Sequence, residues 1–284
     1  MRIWSIHPWR LLGEGFTAFI DDNALTRGAA IAFYAVTAIA PVLFIATAIA
    51  GLFLGPDAAS SAVRYQLLQL MSPESATLVQ GAIVHVRGVH HSVQGSVIGL
   101  LALIITASGV FTEMEDALNV IWKAPRTEPY LHQLVRGRVM SLILVIFLGF
   151  MFMVSLVIAS GIGILGRLLD RSTPLGDVIV TMINSGLSFF LIALLFAIIF
   201  KMMPNKHLYW RDVFLGALAT ALLFEVGQAL ISLYLSRLLV ASIYGAAGGV
   251  IVLLVWAYYS AQVFLLGAEF TKVWAQHYGS QRLG

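Results

Sequence analysis

Six long apolar runs, at residues 29–54, 93–112, 139–166, 178–200, 213–236 and 247–268, constrain the fold of this chain more than any other feature. Each reaches or nearly reaches the roughly 20 residues that a helix needs to cross a hydrocarbon core about 30 Å thick. The runs are continuously apolar and lack the alternation of a transmembrane β-strand, so the helix is the remaining way to satisfy every backbone group inside lipid. Only 11% of the residues are charged and 60% are hydrophobic, whereas a soluble domain draws on about 25% charged residues for its surface. The pattern predicts an all-α polytopic membrane protein, a six-transmembrane-helix bundle in which residues 1–284 form one membrane domain and 1–28 an interfacial segment.

Lysine and arginine set the expected orientation. Twelve of the seventeen fall on one side if the N-terminus, the 113–138 loop, the 201–212 loop and the C-terminus share it. The other five, Arg64, Arg87, Arg167, Arg171 and Arg237, fall opposite. The positive-inside rule then places both termini in the cytoplasm. This distribution also accounts for the net charge of +3 without a nucleic-acid partner. The first 28 residues hold Arg2, Arg10, Arg27, Glu14, Asp21 and Asp22 and no clean apolar core with a cleavage site, so the first span is expected to act as an uncleaved anchor. Cysteine is absent, which excludes disulfides and thiolate metal sites.

Two segments outside the spans are amphipathic. In residues 8–22, Leu12, Phe16, Phe19 and Ile20 recur at helical spacing among Arg10, Glu14 and Asp21, as in a helix lying in the membrane interface. In the 55–92 loop, Val63, Leu67, Leu70 and Met71 form one stripe, and Leu78, Val79, Ala82, Ile83 and Val86 form another after Pro73. Two short helices on the outer face follow.

The candidate chemistry lies inside the apolar runs. Glu225 sits at the centre of the fifth run, where a carboxylate costs on the order of 3 kcal/mol and needs a partner, water or a proton. Gln228 and Ser232 share its face. On the following helix Tyr258, Gln262 and Glu269 share another face. An antiparallel pair of helices brings Tyr258 and Gln262 to the depth of Glu225, so Glu225, Gln228, Tyr258 and Gln262 are the candidate substrate-binding residues of a polar seam. Two readings stay open: a substrate or proton path, or hydrogen bonding between helices at below about 2 kcal/mol per pair. Arg27, Glu113 and Glu269 are candidates for an ion pair or gate at the inner mouth, near Glu115 and Asp116. Pro41, halfway along the first span, and Gly245, Gly248 and Gly249, at the start of the last, are candidate hinges. No catalytic residue, metal site or cofactor is expected. His85, His90 and His91 have the wrong spacing for a single-face metal site, and the glycines of 161–166 follow a spanning helix where a nucleotide fingerprint follows a strand.

Four segments in order, Arg27-Gly-Ala-Ala-Ile-Ala-Phe-Tyr34 leading to Pro41, Ala117-Leu-Asn-Val-Ile-Trp122, Tyr244-Gly-Ala246 and Leu266-Gly-Ala-Glu269, resemble the YihY/BrkB family of bacterial inner-membrane proteins over almost the whole chain. The resemblance implies six spanning helices, cytoplasmic termini and an inner-membrane location. Members have carried the labels virulence factor and ribonuclease BN, but nothing in this sequence supplies a phosphodiesterase site. The expected function is therefore noncatalytic: a translocator of lipids or amphiphilic envelope precursors, with membrane lipids as partners and no ATP-binding motif to drive it. The alternative is a scaffold that engages envelope proteins or a second copy of itself.

Overall fold

The computed structural model describes residues 8–55, 109–124, 174–237 and 246–281, with single positions at 60, 61, 63, 64, 77, 80, 81 and 147. Among the described residues all regular structure is helical: α1 (Pro8–Asp21), α2 (Ala24–Leu54), α3 (109–121), α4 (Pro174–Met202), α5 (Trp210–Arg237) and α6 (Ala246–His277). Three of these contain stretches long and apolar enough to cross a membrane, Ser185–Met202, Trp210–Ile231 and Val250–His277. In the 55–92 loop the single described positions from 60 to 81 are helical and Val63 is buried; the rest of the two predicted stripes lies outside the described residues. The 139–166 run, apart from residue 147, and the 93–112 run before 109 lie outside the described residues.

Local signals explain the helix ends. Proline suits the first turn of α1, where its missing N–H costs nothing. Asn23, with φ 54° and ψ 37°, turns the chain between α1 and α2 in the left-handed region that asparagine tolerates. Gly55, with φ 84°, closes α2 by donating its N–H to the Gly51 carbonyl at 3.0 Å. Lys201 in the last turn of α4 and Asp212 in the first turn of α5 each complement the helix dipole.

Helix α6 is the hub. It packs against α1, α2 and α5, and α4 packs against α5. Phe196 and Phe200 of α4, Phe224 of α5 and Phe264 of α6 join these layers, with Phe200 and Phe264 centroids 5.4 Å apart and Phe196 and Phe224 at 5.9 Å. The α5–α6 crossing depends on glycine. A β-carbon at Gly216 would overlap the Thr271 hydroxyl, and one at Gly267 would overlap that of Thr220. Each threonine hydroxyl donates to the carbonyl four residues back, Thr220 to Gly216 and Thr271 to Gly267, both at 2.7 Å, so neither leaves a polar atom unmet at the contact. Small residues four apart on both helices let the backbones approach where no hydrophobic drive exists between helices in lipid.

Helix α6 continues past the expected boundary at 268 to His277, because its last turns are buried against α1. Helix α1 uses three faces. Gly15 lies against the Phe270 ring and Phe19 is buried, Leu12, Phe16 and Ile20 form an exposed apolar stripe, and Arg10, Glu14, Thr17 and Asp21 line the polar side. This is the arrangement of a helix lying in a membrane interface. Tyr209 and Trp210 are exposed at the same end of the bundle, and Trp274 stacks on Tyr278 with centroids 4.8 Å apart, as in an aromatic belt.

Candidate functional site

Gln262, Glu269 and Lys272 of α6 meet the start of α2 and the turn that precedes it. Gln262 donates from Nε2 to the Leu25 carbonyl at 3.2 Å, reaching it over Gly28, whose hydrogen leaves room for the amide. Two turns on, Glu269 is fully buried and accepts from Lys272 Nζ at 3.0 Å. The same ammonium donates to Asp22 Oδ2 at 3.3 Å in the turn between α1 and α2. One lysine thus serves two carboxylates and ties the α1–α2 turn to α6. Arg27 faces Glu113 of α3 at 3.9 Å, with each side chain about a quarter exposed (28% and 26%). Burial pushes the Glu113 carboxyl above the usual carboxylate range, opposed by Arg27 and aided by Asp116.

Satisfaction along this interface is incomplete. Glu269 Oε1, Gln262 Oε1 and Arg27 Nε are buried without a hydrogen-bond partner among the described residues. Each such atom costs about 1–3 kcal/mol, more when charged.

The face predicted for Tyr258, Gln262 and Glu269 exists, but it is directed differently from the expectation at Gln262. The contacts Gly216 to Thr271, Thr220 to Gly267 and Gly227 to Tyr259 fix an antiparallel register that sets Glu225 level with Ala261 and Gln262. Depth thus follows the sequence reading, whereas Gln262 is held by α2. Tyr259, not Tyr258, meets α5, donating to the Leu223 carbonyl at 3.0 Å. Glu225 is half-buried at the middle of α5, flanked by exposed Leu222 and Val226, and no hydrogen bond or ion pair joins it to another described residue. Gln228 is half-buried and Tyr258 is at the surface.

The expected trio of Arg27, Glu113 and Glu269 divides into two groups. Arg27 pairs with Glu113, and Glu269 takes Lys272. Lys272 and Asp22 are the participants that sequence reasoning missed, and the i, i+3 spacing of Glu269 and Lys272 is the signal that could have found them. Helix α2 runs unbroken through Pro41, and Gly248 and Gly249 lie in the first turn of α6; Gly245 is outside the described residues. No group of three or more potential ligands for a metal ion occurs among the described residues.

The family model described as virulence factor BrkB matches residues 16–283. A UPF0761 membrane protein of Alteromonas mediterranea is 26% identical over 254 residues, which cover 88% of this chain and 83% of that protein. Another from Nitrosospira multiformis is 24% identical over 265 residues, covering 93% of this chain and 60% of its own length. The UPF0761 membrane protein YihY of Salmonella typhimurium is 30% identical over 177 residues, 61% of this chain and 57% of its own length. The chain thus spans less than two thirds of the last two relatives. No solved structure matches.

Proposed function

This chain belongs to the virulence factor BrkB family of membrane proteins, and on that premise we propose that it is a translocator of lipids or other amphiphiles in the bacterial inner membrane, built on six spans with both termini in the cytoplasm. The observation that carries this reading is Glu225: a half-buried carboxyl at mid-span, with no described partner, level with Gln262, whose Oε1 also has no partner among the described residues. An ionisable group at that depth needs a partner, water, a proton or a substrate headgroup, and this reading assigns Glu225 the last three. Gln228 and Tyr258 extend the polar surface available to a headgroup. No reaction is assigned, and membrane lipids are the proposed partners.

Glu225 is a cleaner probe than Glu269, whose replacement also strips Lys272 of its buried partner. In vesicles reconstituted with the protein and a fluorescent phospholipid analogue, Glu225→Gln should preserve folding and slow movement of the analogue between leaflets at least tenfold. Equal rates for the two proteins would defeat the role given to Glu225. A second reading, a scaffold in envelope assembly, draws on the close glycine-mediated crossing of α5 and α6. It predicts that Glu225→Gln is silent and that the unaltered protein moves no lipid.

A further inference from the structure

We infer that a groove between α1, α5 and α6 cradles one acyl chain of an anionic bilayer phospholipid, with Arg211 at its mouth taking the headgroup. The groove, about 490 Å³, is walled by Leu11 and Leu12 of α1, Leu215, Ala219 and Leu222 of α5 and Trp274 of α6. Along α5 it runs from residue 215 to 223, about 12 Å at the helical rise. An extended alkyl chain suits an apolar slot of this length, walled by leucines and a tryptophan.

The mouth supplies charge. Arg211 precedes Leu215 by one turn on the same face of α5 and is exposed. No described residue pairs with Arg211. The nearby acids are engaged: Asp212 accepts from Ser280 N and Oγ at 3.2 and 2.5 Å, and Glu14 meets His277 at 2.7 Å. Trp274 with Tyr278, and the exposed Trp210, set this mouth at headgroup level. In a bilayer the chain exchanges one apolar surrounding for another, so fit alone selects weakly. Selection then rests on Arg211. A basic side chain near the surface favours an anionic lipid by about fivefold, the equivalent of about 1 kcal/mol. This site is separate from Glu225 and does not depend on its role.

The test is lipid retention by the full chain purified from vesicles of equal phosphatidylglycerol and phosphatidylcholine content, read by native mass spectrometry. The unaltered protein and Glu225→Gln should retain phosphatidylglycerol about fivefold over phosphatidylcholine. Arg211→Gln should retain the two equally, and Ala219→Phe, which fills the slot from an exposed position, should retain neither. A phosphatidylglycerol with a photoreactive acyl chain should label Leu215, Leu222 or Trp274 in the unaltered protein, which keeps the site testable if Ala219→Phe misfolds. No preference in the unaltered protein, a folded Ala219→Phe or Arg211→Gln that behaves like it, labelling elsewhere, or crosslinking of the groove to a second copy would each overturn the assignment.

Discussion

Gly13 and Gly216 are both helix-interior glycines, yet a methyl group should affect them oppositely. Alanine gains about 1 kcal/mol over glycine in helix propensity. At Gly13 nothing lies within 4 Å of the new β-carbon, so Gly13→Ala should raise the thermal midpoint of the purified protein. At Gly216 the methyl overlaps Thr271, and overpacking costs about 1–3 kcal/mol. Gly216→Ala should therefore lower the midpoint, and Thr271→Ala should partly restore it because it removes the overlapping hydroxyl. Equal responses at the two glycines would contradict the described crossing. Lys272 is the other decisive residue, since Lys272→Met leaves fully buried Glu269 and the Asp22 carboxylate without their shared cation. Breaking a buried pair in this way costs about 3–5 kcal/mol. Adding Glu269→Gln should recover part of that loss in the same unfolding measurement. A double variant no more stable than Lys272→Met would show that the pair does not couple.

At the scale of elements, α1 makes the sharpest claim, because its exposed apolar stripe and its polar side separate within one helix. The chain contains no cysteine, so single cysteines report cleanly. In reconstituted vesicles, cysteine at Arg10 or Thr17 should react with a water-soluble maleimide, and cysteine at Leu12, Phe16 or Ile20 should be protected. Uniform labelling of all five would remove α1 from the membrane interface. This helix was legible from the sequence because amphipathic periodicity is a local property. The apolar stretches within α4, α5 and α6 were legible for the same reason: length and composition alone mark a segment able to cross lipid. Which face of α6 meets which neighbour was not. Tyr258 and Gln262 are one helical face by spacing, but the register set by Gly216, Gly267 and Gly227 rotates Gln262 toward α2. That register was recoverable in part, since glycine and threonine four apart on both helices signal close packing. The Asp22 partner of Lys272 was not recoverable, because it depends on the left-handed turn at Asn23 returning α1 along α6.

At the scale of the whole molecule, the proposed function requires a polar path past Glu225 through an otherwise apolar bundle. Six spans with both termini inside require residues 75, 172 and 241 to lie in the periplasm, and reporter fusions at those positions should say so. A cytoplasmic signal at any one would break the topology. The path itself is tested most directly by water access at residue 225. A cysteine there, in vesicles, should be modified by a small charged thiosulfonate, while cysteines at the neighbouring Leu222 and Val226, which face lipid in this account, should remain unmodified. An unreactive cysteine at 225, or equal protection at all three positions, would mean that α5 presents Glu225 to lipid or to dry packing, and the translocation pathway proposed here would be contradicted.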